Sequence, residues 1–196
     1  MPQIGRFAAA LLLLALAACL PVTSKVPVGS TEGFRADPML LGTWRATTKD
    51  EGGSSYIHIL GNSDGSMTAL LITPPRKESL GEWSEYRLRT ARLGANRIMN
   101  AQEIGNNGDA ARGPLSEQQV VLLYKAFSPN RVTIYEMDEK ATAAAIRAGE
   151  IAGEIEPGKD GDIRITAKQP ELDAFMQTAR AAGLFHKELV TLSRVD

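Results

Sequence analysis

The chain has 196 residues, 22 Lys plus Arg against 23 Asp plus Glu, a formal net charge of −1, two histidines and one cysteine. Near-neutrality leaves no strong basic field to draw in nucleic acid and no acidic run to attract a cationic partner. A single cysteine excludes an internal disulfide, so stability has to come from an ordinary apolar core.

Residues 1–18 carry one charge, Arg6, and then run from Phe7 to Ala18 through apolar and small residues without an acid. About 12 apolar residues fall short of the roughly 20 that span a bilayer, so the pattern is that of a cleaved secretory signal. The segment closes on Leu16-Ala17-Ala18-Cys19. Behind a basic start and an apolar run, that box resembles the signal of bacterial lipoproteins. The resemblance implies cleavage between Ala18 and Cys19, a diacylglycerol on the Cys19 thiol, palmitate-type acylation of the new amino group, and attachment to the bilayer. Two or more acyl chains hold firmly, since each buried methylene contributes about 0.8 kcal/mol. The other reading, in which Cys19 is a small apolar residue of a differently processed signal, stays open. Leu20 and Pro21 stand where an Asp would retain an enterobacterial lipoprotein at the inner membrane, which implies an outer-membrane address facing the periplasm. Loss of Arg6 with the signal moves the formal charge from −1 to −2.

Residues 19–38 mix Pro, Ser, Thr and Gly without a period and read as a flexible tether behind the lipidated cysteine. A coil of about 18 residues has a root-mean-square span of about 23 Å, which would stand the remaining domain, 39–196, just off the bilayer.

From Leu41 to Thr48, Ser55 to Leu60 and Met67 to Thr73 short β-like runs are separated by turn signals, and Asp64-Gly65 marks a hairpin. Glu82 to Leu93 alternates, with Tyr86, Leu88 and Thr90 opposed to Glu85, Arg87 and Arg89, and Arg97 to Ala101 can pair back on it. Gly105 to Pro114 reads as an irregular loop. Gln119 to Phe127 and Arg131 to Met137 form another hairpin, after which Asp138 caps a short Ala-rich helix over 139–148 that Gly149 closes. Ile151 to Glu156 and Ile163 to Ala167 flank a turn, Pro170 opens an amphipathic helix over 170–183, and Leu189 to Val195 is a closing strand. The expected class is mainly β, at the all-β and α+β border: an antiparallel meander curled into a barrel-like sheet, with the second helix covering an opening or an edge.

Gly42-Thr43-Trp44 resembles the G-x-W of lipocalins, in which the tryptophan plugs one end of the barrel under an arginine from a late strand. That implies a structural pair of Trp44 with Arg194 through a cation–π contact. An ordinary buried Trp at a strand start is the other reading. Lipocalins place their helix after the last long strand, whereas here a strand follows the helix.

Other constellations point to chemistry less directly. Gly61-Asn62-Ser63-Asp64-Gly65 matches a nucleophile elbow with Asp173 and His186 in hydrolase order, but Met67 to Thr73 leaves it as a strand where the elbow needs a helix. His58 sits between Ile57 and Ile59, and His186 near a helix end, in no metal-like spacing. Asp160 and Asp162 read as a solvated turn rather than a calcium loop. Arg87, Arg89 and Arg92, with Lys125 and Arg131, read as a salt-laced face, and Glu150, Glu154 and Glu156 have no fixed separation that would pair two as acid and base.

These readings lead us to expect a non-enzymatic, membrane-anchored domain that needs no cofactor and no metal. It would bind a small apolar ligand or an envelope lipid. The alternative is an accessory subunit that presents a sheet edge or face to an envelope protein.

Overall fold

The computed structural model describes residues 21–29, 33–47, 54–75, 81–157 and 161–195. In chain order the strands are β1 Thr23–Ser24, β2 Gly42–Thr47, β3 Ser55–Gly61, β4 Met67–Thr73, β5 Glu82–Leu93, β6 Asn96–Asn106, β7 Asp109–Ala110, β8 Gln119–Ser128, β9 Arg131–Glu136, β10 Gly153–Ile155, β11 Ile163–Ile165 and β12 Lys187–Arg194. The helices are α1 Pro114–Glu117, α2 Glu139–Arg147, α3 Gln169–Met176 and α4 Ala179–Ala182. The signal and the lipobox with Ala18 and Cys19 lie outside the described residues.

Eight strands close on themselves. β2, β3, β4, β5, β6, β8, β9 and β12 are each antiparallel to the next, and β12 returns to β2 with Arg194 opposite Trp44 and Leu192 opposite Ala46. Closure removes the free edges that a meander of this length would expose to other chains. Bulges at Glu85/Tyr86, Ala126/Ser128 and Glu188/Val190 supply local bends that help the sheet curl.

Alternation decides what fills it. Along β4, Met67, Ala69 and Leu71 are buried while Thr68, Leu70 and Ile72 take the wetter side. The inward positions of the other strands, among them Trp44, Ile59, Leu88, Leu122, Ile134 and Leu192, complete one apolar core inside the barrel.

A second core lies outside it. Val121 and Leu123 of β8, together with Leu93 and Ile98, point away from the lumen and are covered by Leu172, Phe175 and Met176 of α3 and by Leu184. β8 and β6 are thus buried on both faces, and the helices cover barrel wall rather than an opening.

Local chemistry sets the element boundaries. Asp138 accepts a hydrogen bond from Ala141 N at 2.7 Å and starts α2 as expected, and Gly149 ends it at φ 72°. The helix expected over 170–183 is instead two, because Thr178 accepts from Ala181 N at 3.2 Å and caps a new start. The loop expected after Gly105 is largely ordered pairing: Asn107 and Gly108, at φ 48° and 89°, turn β6 tightly into β7.

The tether needs the largest correction. Over residues 21–29 and 33–38 the chain is part of the fold. β1 pairs in parallel with β11 and antiparallel with β8, Val22 and Val28 are fully buried, and Asn100, itself fully buried, accepts from Val28 N at 2.7 Å and donates to Val28 O at 2.9 Å. Gly29 at φ 87° lies so close to Ala91 that a side chain there would collide with it. Its N–H donates to the buried Asp173 carboxylate at 2.6 Å.

Candidate functional site

One end of the barrel is plugged. Trp44 is fully buried and its Nε1 donates to Leu40 O at 2.7 Å. The Arg194 guanidinium lies 4.3 Å from the ring centroid, and its nitrogens donate to three carbonyls: Leu41 at 2.8 Å, Pro129 at 3.0 Å and Met39 at 3.2 Å. The glycine of the motif has a reason in the same contact. Gly42 adopts φ 115°, and a Cβ there would meet Arg194 Nη1 at 2.6 Å. Stacking over indole combined with a full set of neutral acceptors explains how a guanidinium is accommodated against an apolar core.

Behind the plug, where inward positions carry Ala69 and Ala101 among larger neighbours, the barrel keeps a cavity of about 120 Å³. Ile57, Ile59, Leu71, Leu88, Met99 and Leu122 are among its walls, and its accessible lining is wholly apolar. Tyr86 also lines it, but no polar surface is accessible inside, so a water there would lack the two to four polar partners it needs.

Polar groups collect toward the opposite end. Tyr86 and Glu103 are cross-strand partners there, and burial raises both above their usual ranges, the nearby Glu103 charge adding to the shift of the tyrosine. Ser84 lies near the Tyr86 hydroxyl, but among the described residues none is placed to make a hydrogen bond of good geometry with this buried group. Tyr86→Phe is therefore expected to leave stability unchanged or raise it by up to about 1 kcal/mol, which urea unfolding would measure; a clear loss would mean that the hydroxyl is paired in solution. Glu136 follows Val132 and Ile134 on the inward side of β9 and binds Lys187 Nζ at 2.6 Å, a hydrogen bond that raises the lysine's pKa.

The remaining candidates from the sequence are kept apart. Ser63 lies in the β3–β4 turn, where Asn62 N donates to Ser66 O at 2.8 Å and the Asp64 carboxylate, its pKa lowered mainly by the Ser66 hydroxyl, accepts from Ser66 N at 3.0 Å. Asp173 holds Gly29 and Gln169, and His186 lies beside Asp138 and Gly183 O, so no relay joins the three. His58 Nδ1 shares a hydrogen bond with Thr43 Oγ1 at 2.8 Å. Glu150 pairs with Arg180 at 3.0 Å and Glu154 with Arg164 at 3.7 Å rather than with each other. Asp160 lies outside the described residues. Among the described residues no group of three or more His, Cys, Asp or Glu is placed to hold a metal ion, and no helix is long and apolar enough to cross a membrane.

The cavity residues escape a motif search because none carries a reactive group. Their one signal is the pair of alanines at inward positions, which shows a void only once the pairing of β4, β5 and β6 is known. Compared with known proteins, the chain matches no family model, no curated protein and no solved structure.

Proposed function

We propose that this is a lipid-anchored envelope protein whose barrel takes up a small apolar molecule without transforming it. The observation that carries the reading is the apolar cavity of about 120 Å³ inside a closed barrel. An apolar cavity of about 150 Å³ in another protein stays dry and binds benzene. The volume therefore favours an occupant of about that size, or the tip of a longer chain, over a whole envelope lipid. Cys19 supplies the anchor, through acylation at the lipobox.

Titration of the full-length protein with benzene, followed by backbone amide shifts, is expected to move residues of β4 to β6 saturably. Ala69→Leu fills the cavity and should weaken binding at least 10-fold while changing stability by no more than about 1–3 kcal/mol. Equal binding by the variant, or no saturable shift in either protein, would sink the reading. The anchor is checked separately: labelled palmitate should mark wild type and not Cys19→Ser.

A second reading has its own observation. Leu60, Ile72 and Trp83 are 49%, 44% and 39% exposed on the outer wall, beside Leu70, Pro74 and Pro75, around a groove of about 640 Å³. A contiguous apolar surface of this kind favours an accessory subunit that docks an envelope protein. In-cell crosslinking from position 72 that recovers a single partner would support it, and a bare crosslinking profile would argue against it.

A further inference from the structure

At the plugged end, beyond Trp44, the β5–β6 hairpin and residues 33–39 enclose a cleft of about 440 Å³ that shares no lining residue with the barrel cavity. Arg92 and Arg97 face each other across the hairpin as direct register partners, and Arg35 lines the same cleft. Like charges directly opposite on an antiparallel pair are destabilising, so the arrangement costs stability unless something answers it. Among the described residues the one carboxylate lining the cleft is Asp37. It faces Arg97 Nη1 at 3.4 Å and accepts from the Tyr124 hydroxyl at 2.7 Å. Arg35 and Arg92 have no ion-pair partner among the described residues. Among the described lining residues, three guanidinium groups against one carboxylate leave a formal charge of +2.

The walls are set in place before any ligand arrives. Arg35 O accepts from Thr90 Oγ1 at 2.5 Å and Arg35 N donates to Thr90 O at 3.4 Å, so the backbone carrying the third arginine is tied to β5. Tyr124 stays a hydrogen-bond donor, since burial raises its pKa above the usual range and the Asp37 contact adds to that.

We propose that this cleft is a binding site for a phosphate group, held between Arg92, Arg97 and Arg35 and kept to their side by the repulsion of Asp37. A phosphate dianion matches the excess of two positive charges, where a carboxylate supplies only one, and with more oxygens than a carboxylate it can meet the forks of several guanidinium groups at once. The group is either free phosphate or the headgroup of an anionic lipid.

The test titrates the full-length protein in detergent with inorganic phosphate at constant ionic strength, with chloride as the balancing anion, and follows the amides of the hairpin. Saturable shifts are expected. Arg92→Ala combined with Arg97→Ala should reduce affinity at least 10-fold, whereas Arg131→Ala, an exposed arginine away from the cleft, should leave it unchanged. Arg92→Ala alone, in phosphate-free buffer at low salt, should melt no lower than wild type, because the charge facing Arg92 is repulsive; a purely structural arginine would give a drop. Vesicles of phosphatidylcholine with one-fifth phosphatidylglycerol should displace phosphate if the source is a headgroup, and plain phosphatidylcholine vesicles should not; failure of both to compete assigns free phosphate. No saturable phosphate shift, or equal affinity in the double variant, would overturn the proposal.

Discussion

Trp44→Ala is expected to lower the free energy of unfolding by about 3–5 kcal/mol, the usual cost of truncating a fully buried aromatic. Three losses coincide at this position. The indole is wholly inside the barrel, its Nε1 satisfies Leu40 O, and its face carries the Arg194 guanidinium. Deleting it leaves a void next to a cation whose remaining partners are neutral carbonyls. Arg194→Ala should cost less, about 1–3 kcal/mol, because the carbonyls of Met39, Leu41 and Pro129 lie nearer to solvent, and the two substitutions together should cost less than their sum. Arg194→Lys should recover only part of the loss, since an ammonium cannot reach three acceptors and stack at once. Urea unfolding of wild type and the four variants measures all of this. A Trp44→Ala loss under 1 kcal/mol would mean that the plug is dispensable, and strict additivity would mean that the pair does not act as a unit.

How much of this was legible beforehand follows from which interactions are local. The β3–β4 turn at Asp64-Gly65 and the capped start of α2 at Asp138 depend on neighbours within four residues, and their sequence signals are sufficient. The inward set of β4 follows from a period of two. A three-residue resemblance suggests that Arg194 meets Trp44, but the geometry depends on closure of the barrel, with the partners 150 positions apart. The second core was not legible at all. Val121 and Leu123 alternate with Leu122 and Tyr124 as apolar residues on both sides of one strand, a pattern that shows burial on two faces without saying what covers the outer one. The cleft was illegible for a related reason. Proximity in sequence groups Arg92 with Arg87 and Arg89, yet an odd offset along β5 puts it on the opposite face, where its partner is Arg97.

The same dependence on distant partners makes the N-terminal segment the most informative place to cut. A chain beginning at Pro38 removes all but the last residue of what composition marks as tether, and it is expected to be destabilised by at least about 5 kcal/mol, comparable to the whole stability of many domains. Val22 and Val28 are fully buried, and burial of such a side chain contributes about 1.5–3 kcal/mol each. Asn100 would lose both bonds to Val28 and keep only Arg89 O at 3.2 Å, while Asp173 would lose Gly29 N and Tyr124 would lose the Asp37 carboxylate. Each buried group left short of a hydrogen-bond partner adds a cost of up to ~1–3 kcal/mol. A chain beginning at Leu20 should fold like the full-length protein, and urea unfolding with amide spectra distinguishes the two; a Pro38 start as stable as the Leu20 start would show that the segment lies on the barrel without supporting it. Under the proposed anchor, the same segment limits how far the barrel stands from a bilayer. If Cys19 is acylated, only Leu20, Pro21 and Val22 separate it from Thr23, where β1 begins, and the four steps reach at most about 14 Å at roughly 3.5 Å per residue. The barrel would then be held against the bilayer by a short stem, instead of ranging above it on a coil of about 18 residues and 23 Å.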